Sequence, residues 1–324
     1  TIATIQEASD MEDEFEVYKQ AIRIDPDDAR AHNNLGFAYG ESGRYEEAIE
    51  SFKQAIKIDP DNAGAHNGLG YAYDGLGKHK EAIESYKQAI RIDPDYVKAH
   101  NNLGVAYGKS GMNKEAVESL KQALMIDPDD AIAHNNLGNA YGNLGRYVEA
   151  IESYKQAIRI DPDDARAHYN LGAAYLKSGK YEEAIESYKQ AIEIDPEDAD
   201  AHYGLGVAYA ELGKNEEAIE SFKQAIKIDP EDADAHNGLG LAYVKSGRYK
   251  EAIESYKQAV RIDPDYAKAH WGLGAAYGKL GMYKEAIESY KQVIRIDPDD
   301  AEAHYFLGGA YVFAEDRGSA LEQY

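Results

Sequence analysis

Residues 29–62 read ARAHNNLGFAYGESGRYEEAIESFKQAIKIDPDN, and residues 165–198 read ARAHYNLGAAYLKSGKYEEAIESYKQAIEIDPED. The two lines share a pattern of apolar, small and charged residues with no insertion. The same line recurs every 34 residues, in eight complete copies from Ala29 to Asp300. Met11–Asp28 matches the second half of a copy, and Ala301–Tyr324 matches the opening positions of a ninth. Residues 1–10 read as a tail or a degenerate helix. No linker or low-complexity tract interrupts the series, so the repeat decides the architecture.

Each copy reads as two helices. In the copy that begins at Ala131, Leu137, Gly138, Tyr141 and Leu144 fall at helical spacing, and Gly145 supplies the residue type that ends helices in a left-handed conformation. The second helix is expected over Tyr147–Ile160. Tyr147, Ala150, Ile151, Tyr154, Ala157 and Ile158 lie on one stripe, with Glu149, Glu152 and Lys155 off it. Asp161-Pro162 stops it, because proline disfavours a helical preceding residue, and Asp163 and Asp164 are candidate caps for the next helix.

Leu35, Gly36, Tyr39, Ala48, Phe52, Ala55 and Pro60 recur down the chain with few changes. In this the sequence resembles the tetratricopeptide repeat (TPR) family. The resemblance covers Met11 to Tyr324. It implies an all-α fold, a right-handed superhelix (α-solenoid) of helical hairpins whose first helices line a concave face, and a non-enzymatic protein that binds other proteins there. One departure is systematic: histidine stands near the start of each first helix, from His32 to His304, where the family often has tryptophan.

Comparison among copies locates the candidate site. Counting Ala29 as position one, positions 2, 5, 9, 12 and 13 vary at i, i+3, i+4 spacing, and in the family this stripe faces the groove. It carries Asn33 and Phe37, then Asn67 and Tyr71, then Asn101, then Asn135, Asn139 and Asn143; later copies offer Tyr169, Tyr203, Asn237, Trp271 and Tyr305. Lys98 with Lys109 forms a basic pair eleven residues apart, about three turns on one face. Beside the stripe runs a second row, Asn34, Asn102, Asn136 and Asn170, interrupted by Gly68, Gly204, Gly238, Gly272 and Phe306. That row resembles the asparagine ladder of O-linked N-acetylglucosamine transferases, which holds the backbone of an extended peptide. An amide offers both donor and acceptor, as a peptide group requires. The expected ligand contacts are these amides, with Lys98 and Lys109 selecting an acidic residue and Trp271 and Tyr305 holding an apolar anchor. The family's two-carboxylate clamp needs Lys at position five and Lys or Arg at position nine, and no copy has them.

Composition narrows the partners. Net charge is −24, with 59 acidic and 35 basic residues, which argues against nucleic acid and anionic membrane. With 29% charged residues and a mean hydropathy of −0.63, the sequence contains no apolar run near the ~18 residues a membrane helix needs. Zero cysteines exclude disulfides and thiolate catalysis, and leave the compartment undecided. The histidines come one per copy, whereas a metal site needs several converging ligands, so no metal or other cofactor is expected. Gly-Leu-Gly, as at 68–70, lies inside a helix and follows no strand, unlike a phosphate loop. The serines from Ser51 to Ser289 recur identically and no nucleophile meets a base, so no active site is expected. Two rival readings remain: a substrate-recruiting arm of a larger enzyme such as a glycosyltransferase, and end-to-end self-association through uncapped terminal repeats.

Overall fold

The computed structural model describes residues 15–321, with side chains described from Phe15 to Ala314. The tail expected at 1–10, the first residues of the half repeat, and Ala320, Leu321 and Tyr324 as a stacking surface lie outside those residues or side chains. The chain divides into two compact units, Thr1–Pro162 and Asp163–Tyr324. In the first, α1 covers residues 15–24, followed by α2 (Ala29–Glu41), α3 (Tyr45–Ile58), α4 (Ala63–Gly75), α5 (His79–Ile92), α6 (Val97–Lys109), α7 (Asn113–Ile126), α8 (Ala131–Asn143) and α9 (Tyr147–Ile160). The second holds α10 (Ala165–Lys177), α11 (Tyr181–Ile194), α12 (Ala199–Glu211), α13 (Asn215–Ile228), α14 (Ala233–Lys245), α15 (Tyr249–Ile262), α16 (Ala267–Lys279), α17 (Tyr283–Ile296) and α18 (Ala301–Leu321). Among the described residues there is no strand, and the fold is an all-α helical-repeat solenoid.

Local chemistry sets each boundary. The Asp28 side chain accepts from the N–H groups of Arg30 and Ala31, and Asp164 does the same for Arg166 and Ala167. These bonds satisfy donors that the first helical turn leaves unpaired. First helices end at a left-handed glycine, with φ between 69° and 77° from Gly43 to Gly281. The Arg44 N–H then reaches back to the Tyr39 carbonyl at 2.8 Å, the bond that closes such a cap. In the ninth copy Glu315 stands where that glycine would be, and α18 runs on to Leu321 as one helix. Second helices stop at the Asp before each proline; Asp59, for example, is extended at φ −128° and ψ 91°.

Histidine fastens the turn. His32 Nε2 lies 3.1 Å from the Pro26 carbonyl, His66 3.1 Å from Pro60, His134 2.9 Å from Pro128 and His270 2.9 Å from Pro264. A carbonyl only accepts, so Nε2 carries the proton. The serines are structural too: Ser51 Oγ donates to the Glu47 carbonyl at 3.0 Å, and Ser153 to Glu149 at 2.8 Å.

The core is one repeated joint. Phe52 on α3 is wholly buried. A Cβ added at Gly36 on its own first helix would sit 2.8 Å from the Phe52 ring, and one at Gly68 on the next first helix 2.3 Å from it. Tyr188 is clamped in the same way between Gly172 and Gly204, and Tyr256 between Gly240 and Gly272. Glycine is required here by close approach, since both helices touch the ring through bare backbone. Burying one such ring contributes about 1.5–3 kcal/mol. First helices also touch one another, α2 with α4, α4 with α6 and α6 with α8 in one unit, and α10 with α12, α12 with α14 and α14 with α16 in the other. Among the described residues second helices make no comparable approach, so within each unit the first-helix surface is the inner one.

Gly68→Ala should therefore cost about 1–3 kcal/mol, because the methyl overpacks against a ring with no room to move. Gly108→Ala, where a Cβ meets nothing within 4 Å, should stabilise by about 0.5–1 kcal/mol through helix propensity. Urea unfolding followed by circular dichroism compares the two.

Candidate functional site

On the inner surface of the first unit the two asparagine rows turn out to be partners. Asn102 Nδ2 donates to Asn67 Oδ1 at 3.1 Å, and Asn136 Nδ2 donates to Asn101 Oδ1 at 2.9 Å. Position six of one copy thus bonds position five of the copy before, a spacing of 35 residues. Asn67 and Asn135, expected to face a ligand, are only 5% and 2% exposed. At these two places a first helix packed against the next leaves position five little access to solvent. Asn33 is half-buried, its Oδ1 is buried without a hydrogen bond, and Asn34 is exposed.

The remaining amides of α8 also have neighbours. Asn139 Oδ1 accepts from the Tyr154 hydroxyl at 2.7 Å, and Asn143 Nδ2 lies 3.5 Å from Asn113 Oδ1. Both stay exposed, and Asn101, Asn102 and Asn136 are half-buried. An amide that donates once keeps a second N–H for another partner. Lys98 is exposed, but Lys109 is committed to an internal ion pair, with Nζ 2.5 Å from Asp74 Oδ2. Asp74 accepts on its other oxygen from His79 Nδ1 at 2.7 Å. Sequence reading missed this trio, although Asp74 and Lys109 show the same 35-residue spacing.

The second unit has a different inner surface. Tyr169 and Tyr203 lean on the core rings of Tyr188 and Phe222, with centroids 5.7 Å apart in both pairs, and burial pushes the pKa of both hydroxyls up, that of Tyr203 to about 12. Asn170 and Asn237 are half-buried. Asp200, Asp229, Asp232 and Asp234 surround Tyr203 in a cleft, and the Tyr266 hydroxyl donates to Asp234. Burial first, then Asp198, Asp232 and Asp229, hold the Asp200 pKa above the ordinary carboxylate value. At the far end Trp271 meets Phe306 edge-on at 5.6 Å, and Tyr305 is 77% exposed. A cavity of about 640 Å³ opens beside them. Among the described residues no cluster of His, Asp and Glu could hold a metal ion, and no helix is long and apolar enough to cross a membrane.

Hairpins of 34 residues, each clamping an aromatic ring or a leucine on glycine, have counterparts among known families. TPR models match residues 15–43, 38–77, 75–111 and 97–130, and the model described as "Cilia and flagella-associated protein 70 C-terminal domain", a TPR domain, matches residues 125–324. The chain belongs to the tetratricopeptide repeat family. TPR proteins are generally non-catalytic scaffolds that bind proteins or peptides. No curated protein sequence matches this TPR chain significantly. Among solved structures, the APC/C hetero-tetramer Cut9-Hcn1 is similar over 86% of this chain and 55% of its own, at 19% identity and a TM-score of 0.60. The chain thus spans about half the length of that structure, and the likeness is one of fold. YrrB, titled "a TPR protein with an unusual peptide-binding site", is similar over 58% of this chain and 96% of its own, at 25% identity and a TM-score of 0.50.

Two measurements follow from this geometry. A double-mutant cycle of Asn101→Ala and Asn136→Ala, without any ligand, should show a coupling of about 0.5–1.5 kcal/mol; amides that only lined a wet surface would give none. Asp200→Asn should stabilise the protein at pH 7. A carboxyl whose folded pKa is raised holds its proton more tightly in the folded state, so its destabilising effect is present at high pH and fades as pH falls through that pKa. The gain from Asp200→Asn should shrink accordingly on acidification, measured by thermal unfolding across the carboxylate range.

Proposed function

We propose that this TPR protein is a scaffold that binds an extended segment of another protein along its first-helix surface. The observation that carries the reading is where variation falls. Positions that clamp the core ring stay Gly, Ala, Leu, Tyr or Phe in nearly every copy, whereas exposed inner positions range over Lys98, Asn139, Asn143, Leu241 and Tyr305. A surface kept only for solubility has no reason to carry a 77% exposed Tyr305 or a 45% exposed Leu241. The paired amides Asn67–Asn102 and Asn101–Asn136 suit a peptide backbone, because each donor keeps an N–H beyond its internal bond. Lys98 would select an acidic residue nearby, with Lys109 in reserve only after leaving Asp74. Likeness to YrrB, a TPR protein titled for its peptide-binding site, supports the same reading.

The test uses exposed residues, since changing the buried or half-buried asparagines would also damage packing, whereas Asn143 makes only one long, exposed contact to Asn113. Affinity capture from the source organism's extract should compare the parent with Lys98→Glu/Asn143→Arg on the inner surface and with Glu84→Arg/Glu152→Arg on second helices, all matched for helicity. Partners should be lost from the first variant and kept by the second. The reverse pattern would move binding to the outer surface.

A further inference from the structure

The inner surface of the second unit changes character between α16 and α18. α14 touches α16 as other neighbouring first helices do, but α16 and α18 barely meet. The joint between positions five and six explains the gap. Elsewhere it pairs two asparagines, or sets an aromatic or an asparagine beside glycine. Here Trp271 faces Phe306, and the Phe306 ring also stacks on Tyr290 at 6.0 Å. Two large rings hold α18 away from α16, while the stripe residues above them are small. A Cβ added at Gly278 or Gly309 would meet nothing within 4 Å. Between α2 and α4 the corresponding stripe is filled: a Cβ at Gly40 would lie 3.1 Å from Tyr71, and one at Gly75 2.5 Å from Tyr45.

The result is the cavity of about 640 Å³, walled by Trp271, Tyr283, Tyr305 and Phe313. Tyr305 is 77% and Phe313 55% exposed, so rings that could bury apolar surface stand in water around a concavity. Among the described residues Lys279 is the single charged residue of the lining. It makes no ion pair among the described residues, in a protein where acidic residues outnumber basic ones 59 to 35. Ring walls favour an aromatic guest over an aliphatic one, through edge and offset contacts.

We propose that this cup binds one aromatic side chain of an extended protein segment, with a carboxylate on the adjacent residue paired to Lys279. The proposal rests on reading the first-helix surface as a peptide site and names the kind of segment its last repeats accept. A segment bearing a basic residue at that place would meet Lys279 as a like charge.

Trp271 is the sole tryptophan, so its emission reports the cup alone. Capped octapeptides Ser-Gly-Ser-Phe-Asp-Ser-Gly-Ser, with Lys replacing Asp or Ala replacing Phe, are titrated into the protein. The Phe-Asp peptide should shift Trp271 emission saturably. The Lys version should bind about two- to fivefold more weakly, the scale of an exposed ion pair, and the Ala version about tenfold more weakly or not at all. Gly309→Leu fills the cup while improving helix propensity, and should abolish the shift without loss of helicity. Lys279→Glu should reverse the preference between the Asp and Lys peptides. No saturable shift with the parent at millimolar peptide would overturn the proposal, as would equal binding to Gly309→Leu. Emission that changes with protein concentration alone would assign the cup to a second copy and overturn it as well. A negative result here leaves the capture experiment intact, because that experiment perturbs α6 and α8 rather than α16 and α18.

Discussion

A ring pressed onto bare backbone is the contact on which everything else here depends. Phe52, Tyr86, Tyr188, Phe222 and Tyr256 each sit against glycine on their own first helix, and all but Tyr86 against glycine on the next as well. Because one side chain serves two interfaces, folding a hairpin and stacking it on its neighbour are a single event. A lone hairpin would leave half of each ring in water, so stability grows with each added repeat. The caps, the left-handed glycines and the His–Pro bonds set the lengths that bring ring and glycine into register.

The same joint shapes the inner surface. With ring and glycine in place, position five of one copy lands beside position six of the next within each unit. What fills those two places then decides the local chemistry. Two asparagines give an amide pair that ties helices together and still offers donors. A tyrosine beside glycine lies flat on the core ring, as Tyr203 does on Phe222. A tryptophan facing a phenylalanine does not fit at that spacing, and the helices part. One constant frame therefore carries an amide-lined stretch in the first unit, and an acidic cleft and an aromatic cup in the second.

The rings also explain why so many candidate ligand contacts have partners within the chain. The four asparagines of α8 look like an anomaly in a helix, since asparagine competes for backbone bonds. Asn136 bonds Asn101, Asn139 receives the Tyr154 hydroxyl, Asn143 approaches Asn113, and Asn135 is buried. Their cost in propensity is offset by bonds between helices. Lys109, which pairs with Asp74 rather than standing open beside Lys98, is the same lesson in charge.

The period, the two helices of each copy, their caps and stops, and the TPR fold were legible in the sequence, because each depends on residues a few places apart and is written eight times over. The stripe of variable residues was legible for the same reason. Which of those residues touch each other was not, because partners such as Asn102 and Asn67 belong to different repeats, and their 35-residue spacing carries meaning only once the helices are set side by side. Nor could periodicity show the cup at Trp271, since Phe306 reads as one more departure at a variable position until it is seen to hold two helices apart. Local propensity and pattern act along the chain; the choice between an exposed contact and an internal bond is made by what the neighbouring repeat places opposite.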